Sequence, residues 1–342
     1  MEKILKIKFD SDIFNVVDNL KIFCYVERHL DFYSRKKGNY ADFIQEYLWV
    51  KLHKYFVTDP ENANFYLIPI FSNNGTDEQK VFDTFDVIYN KYPYLKQSIF
   101  DGICNHIIIP SPIDKILNKV IPEKIKKSII YLNVNSNPTE NFDKNIDVSL
   151  VPCFKNYYSE KYEMYLKNDI RNRLTKVLFI GSFDESRHST RAHIMKNILS
   201  DVRILNNEKW VVKNQTVTTK TIDVYEKRLS ESIFSLVIRG DCVWSPRVAE
   251  VIVHGCIPVI ILKNYILPFE DIIDWDKFAI IINEDHINVL YDTIENLTSE
   301  KILELRENVL KVSDFFKYNT NYVHNDASYL SLVDLCTKHI KM

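Results

Sequence analysis

The chain has few glycines, six in 342 residues. Nowhere does it have an uncharged apolar run approaching the roughly 18 residues of a membrane-spanning helix. Its first stretch, MEKILKIKFDSDIFNVVDNL, is interrupted by charge every few residues, so it offers neither a signal-peptide core nor an anchor. The expected setting is therefore cytoplasmic, with no membrane span. Neither sign of charge is in excess. Lys and Arg number 44 against 46 Asp and Glu, a net charge of −2, which excludes the broad basic footprint of a nucleic-acid or anionic-membrane binder. Any anion must be held by a local site. The six cysteines (Cys24, Cys104, Cys153, Cys242, Cys256, Cys336) lie far apart, with no CxxC pair. That spacing excludes a disulfide framework or a cysteine zinc site and reads as reduced, buried thiols. Internal repeats and low-complexity stretches are absent as well.

What is present is apolar material for more than one core: 46% of residues are hydrophobic, and the length suits two domains of roughly 150 residues. Short Ile-, Val- and Phe-rich runs recur at 21–26, 63–71, 106–110, 128–134, 176–182, 232–240, 256–262 and 279–283. Near-continuous runs of this kind suit strands covered on both faces. Longer stretches with helical spacing, such as 40–56 and 189–204, separate them, and the alternation predicts an α/β fold with parallel sheets. Between Pro152 and Lys176 the text turns polar and helical. The expected domains are 1–165 and 166–320, with a helical segment over 321–342 crossing back to the first domain.

The densest stretch is RGDCVWSPRVAEVIVHGCIPVII, residues 239–261. The run before it reads as a strand ending at Gly240. Ser245 is a favoured N-cap and Pro246 a favoured first helical residue, so a helix should start there. It should stop at Gly255, a good left-handed C′ residue, before the next strand. In open α/β sheets ligands sit at the carboxyl ends of strands. The loop and helix start supply free N–H groups, Arg239 and Arg247 supply guanidinium forks for phosphate oxygens, and Glu250 can accept from a vicinal diol. Taken alone, Arg247 and Glu250 read first as an exposed helix pair worth about 0.3 kcal/mol. The joint placement of Arg239, Gly240, Trp244, Ser245 and Gly255 reads instead as a phosphate site.

Together with LPFEDIIDW at 267–275, this stretch resembles the pattern of the exostosin family of glycosyltransferases, R-G-x-x-x-x-S-x-R-x-x-E followed by G-C-I-P-V and L-P-F. TDPENANFYLIPIF (58–71), Asn105-His106 and DVSLVP (147–152) resemble the family's N-terminal half, although the family usually has D-H where this chain has N-H. The resemblance implies a GT-B fold: two Rossmann-like domains facing a central cleft, the N-terminal one for the acceptor and the C-terminal one for the donor. It implies an inverting transfer from a UDP-sugar donor to a glycan or glycoprotein acceptor, forming a β-linkage without an essential metal or other cofactor. Carried over by position, Arg239, Ser245 and Arg247 would contact the diphosphate, Glu250 the ribose and Trp244 the sugar, with Asp241 beside it. In VLFIGSFDESRHSTR (177–191), Gly181 and Ser182 would approach the phosphates, and Arg187 or Arg191 would add charge.

Inversion needs a base for the acceptor hydroxyl. The candidates are Asp77 first, then Glu27 and His106. Each has a bland alternative: Asp77 as a helix N-cap, Glu27 as plain surface, His106 as a hydrogen-bonded core histidine. Asp10/Asp12 and Asp274/Asp276 fit a DxD spelling but lie outside a nucleotide context, and the histidines lack zinc spacing. Two other classes remain. A catalytically silent glycosyltransferase partner or glycan-binding protein has no need of the Arg, Ser and Glu set. A DNA-modifying enzyme would want a basic stripe.

Overall fold

A computed structural model describes residues 4–6, 11–25, 48, 51–70, 78–110, 121–140, 142–152, 161–186, 188–240, 242–319 and 324–340. The chain forms two compact units, and neither is one continuous segment. The N-terminal unit takes Phe9–Cys153, Ile266–Phe269 and Tyr318–Met342; the C-terminal unit takes Met1–Lys8, Phe154–Tyr265 and Glu270–Lys317.

In the N-terminal unit the apolar runs become five parallel strands: β1 (Ile22–Cys24), β2 (Phe65–Leu67), β3 (His106–Ile108), β4 (Ile129–Asn133) and β5 (Val148–Ser149), in the spatial order of the sequence. The strands are buried on both faces because helices such as Glu78–Lys91 cover them, and Val81, Phe85 and Ile88 of that helix join the core with Tyr25, Tyr66 and Ile108. Asp147 explains the first letter of its motif. Its carboxylate accepts from the backbone N–H groups of Tyr131 and Asp143, both at 2.8 Å, and so pins β4 to the turn before β5. Ile266–Phe269 docks through backbone: Ile266 N–H donates to the Ser136 carbonyl at 2.9 Å, and the Ser136 and Ser149 hydroxyls donate to the Ile266 carbonyl at 2.7 and 2.8 Å. The last helix, Ala327–His339, is buried over most of its length; Asp326 caps it and pairs with buried Lys51, and Lys338 Nζ donates to the Asp147 carbonyl.

The C-terminal unit holds five further parallel strands: β6 (Thr175–Gly181), β7 (Trp210–Asn214), β8 (Ser232–Ile238), β9 (Ile257–Leu262) and β10 (Ile280–Asn283). Their order is β10-β9-β8-β6-β7. The chain leaves β6 toward β7 on one side and returns to β8 on the other, so the carboxyl ends of β6 and β8 form the topological switch point where such sheets bind ligands. The expected division at 165/166 falls inside the helix Lys161–Lys167, which belongs with the C-terminal unit. The cause is packing: the Tyr162 and Tyr165 rings each lie 5.1 Å from that of His254.

Two residues behind the switch point fix the turn into β9. The helix Arg247–Val253 ends with His254, and Gly255 takes φ 67°, with N–H bonds from Gly255 to Ile252 and from Cys256 to Val251 closing the left-handed stop. Buried Arg306 packs directly on the Gly255 Cα side, where its guanidinium donates to the Leu166 and Asn168 carbonyls. Arg173 similarly collects the Ser232, His254 and Tyr165 carbonyls.

Candidate functional site

Three guanidinium groups converge on the carboxyl ends of β6 and β8, and each has different work. Arg191, from the helix Ser189–Leu199, donates to the carbonyls of Ser182, Ile238 and Arg239 at 3.0, 3.4 and 3.1 Å. It laces the loop after β6 to the loop after β8, and all three of its nitrogens point at protein. Gly240 leaves this contact uncrowded: a Cβ there would lie 3.0 Å from Arg191 Nη2, so the guanidinium would have to give by a few tenths of an ångström. Arg239 is held in a two-point ion pair with Glu284, which follows β10; Nη2 to Oε2 is 3.1 Å. Its charge is neutralised by the protein itself.

Arg247 is the least committed of the three. Its Nη2 donates to the Ile180 carbonyl at 2.7 Å, and its guanidinium lies over the Phe179 ring at 4.5 Å and beside the Tyr225 ring at 6.0 Å. Its Nε and Nη1 are buried without a well-formed hydrogen bond, and so is the Trp244 Nε1 three residues earlier. Gly181 makes room for this arginine: a Cβ at that position would meet Arg247 Nη2 at 2.9 Å. The helix begins one residue later than expected, with Pro246 at the cap position and no side-chain cap bond; buried Ser245 precedes it, its hydroxyl accepting from the Arg247 N–H at 3.4 Å and its carbonyl from the Val248 N–H at 3.2 Å.

Glu250 stands one helical turn after Arg247 on the same helix. Its Oε2 accepts from the Tyr225 hydroxyl at 3.0 Å. Burial pushes its carboxyl above the ordinary carboxylate range, while the Arg247 charge and the Tyr225 hydroxyl pull it back. Tyr225 and Glu284 are the residues that sequence reasoning passed over. Glu284 directly follows a strand, a position where charged groups gather at a sheet's carboxyl edge; Tyr225 sits in the charge-rich helix IDVYEKRLS and carried no such signal.

Of the proposed bases, His106 lies at the start of β3 and is wholly buried. Its Nε2 pairs with Tyr25 Oη and its Nδ1 with Asn105 Oδ1, both at 2.8 Å, and Tyr66 stacks on it at 4.9 Å. Burial lowers its pKa to about 3. With both nitrogens hydrogen-bonded inside the core, His106 has the place of the hydrogen-bonded core histidine that was its alternative reading. Asp77, Glu27, Arg187 and Asp241 lie outside the described residues. Among the described residues, no three His, Cys, Asp or Glu side chains gather as a metal cluster, and no helix is long and apolar enough to cross a membrane.

With this geometry in hand, similarity to known proteins can be read. A profile of the exostosin GT47 domain matches residues 6–297. A probable glycosyltransferase of Arabidopsis thaliana is 25% identical over 300 residues, which cover 82% of this chain and 58% of that protein. The exostosin-1 homolog of Caenorhabditis elegans is 27% identical over 303 residues, 80% of this chain and 77% of that protein. A probable glucuronosyltransferase of Oryza sativa subsp. japonica is 36% identical over 87 residues, 25% of this chain and 21% of that protein. The chain spans little more than half the length of two Arabidopsis relatives, 58% and 55%. Among solved structures, a glycosyltransferase from Rickettsia africae aligns with a TM-score of 0.40 at 10% identity, covering 95% of this chain and all of that one. The domain match runs through both parallel sheets and the guanidinium cluster, and the chain belongs to the exostosin GT47 family of glycosyltransferases.

Proposed function

We propose that this chain transfers a sugar from a UDP-sugar to a hydroxyl of a glycan acceptor, with inversion to a β-linkage and without an essential metal. The observation that carries the reading is the set of buried donors without a well-formed hydrogen bond after β8: Arg247 Nε and Nη1 and the Trp244 indole N–H. A diphosphate is the ligand that such a guanidinium recognises most strongly, since its fork matches phosphate oxygens. In this reading Arg247 takes the diphosphate and Glu250 takes the ribose diol. Arg191 and Ser245 hold the loops that carry them, and Trp244 donates to the diphosphate or the sugar.

The step balances simply. The acceptor oxygen bonds to the donor C1 from the face opposite the nucleotide while the bond from C1 to the diphosphate oxygen breaks. The hydroxyl proton passes to a carboxylate, for which Asp77 remains the first candidate and Glu27 the second. The departing diphosphate takes the bond's electron pair, and the guanidinium offsets that charge in a site sheltered from water. Arg239 enters as a second cation only if its bond to Glu284 opens.

Thermal melting with UDP, UMP, GDP and a panel of UDP-sugars, each with and without EDTA, tests this reading. A ligand at 100 times its dissociation constant stabilises the folded state by about 2.7 kcal/mol. UDP should raise the melting temperature, UMP should raise it less, and EDTA should change neither. A melt indifferent to every nucleotide would remove the donor site and favour the silent-partner class. A rise that EDTA abolishes would replace the metal-free mechanism with a metal-dependent one.

A further inference from the structure

Tyr225 touches both groups on which the proposed donor site depends, and nothing in the motif pattern points to it. It lies on the helix Ile222–Ser230, 5% exposed. Its hydroxyl donates to Glu250 Oε2, and its ring centroid lies 6.0 Å from the Arg247 guanidinium, which also lies 4.5 Å from the Phe179 ring. We propose that Tyr225 is a positioning residue for ribose recognition: its hydroxyl, donating to Glu250 Oε2, holds the carboxylate in one rotamer and leaves Oε1 to accept from a vicinal diol. The proposal rests on the donor-site reading above and deepens it.

The chemistry requires such a device. A diol is bound well by a carboxylate only in the acceptor-only, ionised form. Yet Glu250 is buried, and burial disfavours that form. The groups around it act in both directions. Glu226, on the same helix as Tyr225, repels the charge; Arg247 attracts it, and the Tyr225 hydroxyl stabilises it by direct donation. Two further titratable neighbours are found among the described residues: Tyr162, from the helix Lys161–Lys167, whose hydroxyl is held neutral by burial and by the two glutamates, and His254, whose Nδ1 meets the Glu250 carbonyl at 2.7 Å and whose pKa burial lowers to about 4. Removing the Tyr225 hydroxyl takes away one of the two influences that favour the charged carboxylate. The Glu250 proton should then be held to higher pH, and the diol should lose its acceptor at a pH where the parent chain still binds.

The alternative is that Tyr225 is packing alone. Tyr225→Phe separates the two because it keeps the ring against Arg247 and removes only the oxygen. Binding of UDP and of 2′,3′-dideoxy-UDP would be measured by calorimetry on the full chain from mildly acidic to mildly basic pH. The expected result is a loss of about tenfold for UDP, the scale of one hydrogen bond to a charged group. Dideoxy-UDP should bind the variant and the parent alike, and the pH midpoint of UDP binding should move upward in the variant. Equal loss for both nucleotides, or an unmoved midpoint with unchanged UDP affinity, overturns the proposal. A parent chain that binds neither nucleotide overturns the donor-site reading itself, which is a different outcome from a parent that binds UDP and a variant that binds it equally well. Glu250→Gln gives a second test that does not depend on the first variant folding. It should remove the part of the pH dependence that UDP does not share with 2′,3′-dideoxy-UDP, whose diphosphate titrates in the same way; a ribose-dependent part that persists in Glu250→Gln assigns the titration to another group and sinks the proposal.

Discussion

Gly255→Ala is the sharpest test of how the turn behind the site is built. Two costs add at this position. The first is conformational: φ is 67°, and an L-residue held in the left-handed region loses about 1 kcal/mol relative to glycine. The second is steric and falls on Arg306. An alanine Cβ would collide with its Nη1 and would lie only 2.6 Å from Cζ and 2.7 Å from Nη2. The guanidinium must then move, although it is buried and donates to the Leu166 and Asn168 carbonyls at 2.9 and 3.2 Å. Disturbing hydrogen bonds to a buried charge costs about 1.5–3 kcal/mol. The expected sum is about 2.5–4 kcal/mol, a large part of the 5–15 kcal/mol that ordinarily holds a domain together. Urea unfolding followed by fluorescence would measure it, with Arg306→Ala and the double variant completing a cycle. In the Arg306→Ala background only the conformational part, about 1 kcal/mol, should remain. A Gly255→Ala cost that is the same with and without Arg306 would refute the steric argument.

Three shorter expectations accompany it. Glu250→Ala should weaken UDP binding by about 1.5–3 kcal/mol, and calorimetry showing unchanged affinity would remove the ribose assignment. Gly181→Ala places a Cβ 2.9 Å from Arg247 Nη2 and 3.1 Å from Phe179 Cζ, so it should cost UDP affinity through displacement of the arginine; nucleotide titration of that variant checks it. Asp147 should shape the pH dependence of folding. Burial raises its carboxyl from 3.8 to about 7, so the folded chain keeps a proton that the unfolded chain releases. The stability this group contributes is full below its unfolded value and is lost as pH rises toward 7. Stability of Asp147→Asn relative to the parent should therefore climb across that window, by at most about 1.4 kcal/mol per pH unit. A parallel pair of stability-against-pH curves would refute it.

The eight apolar runs read from the sequence each coincide with a strand: most because parallel strands covered on both faces are apolar throughout, and the edge strand Ile280–Asn283, with Ile281 and Asn283 exposed, because its run of three isoleucines favours a strand by itself. The two strands that were not legible fail that condition. Val148–Ser149 is too short to make a run, and Trp210–Asn214 sits at the sheet's edge with its last two residues exposed. The left-handed stop at Gly255 was readable from its neighbours. The partners of the arginines were not: Arg239 meets Glu284 across 45 residues, and Arg191 takes three backbone carbonyls, which have no letter in the sequence. Side-chain identity shows where charge is available, and only the packed loops show which of it the protein has already used.

The interleaving of the two units bears on how the chain is made. The sheet of the N-terminal unit comes entirely from the first 149 residues, but its buried helix Ala327–His339 and the Ile266–Phe269 strap are synthesised much later. On a ribosome, a protein of independent domains can finish one before beginning the next. This chain cannot. Its early strands must wait, with the surface destined for the last helix still wet, until nearly the whole C-terminal unit has been translated. A truncation after residue 317 should therefore harm the half of the molecule most distant from it in sequence, and a nascent chain stalled there should present an apolar groove of the kind that chaperones hold.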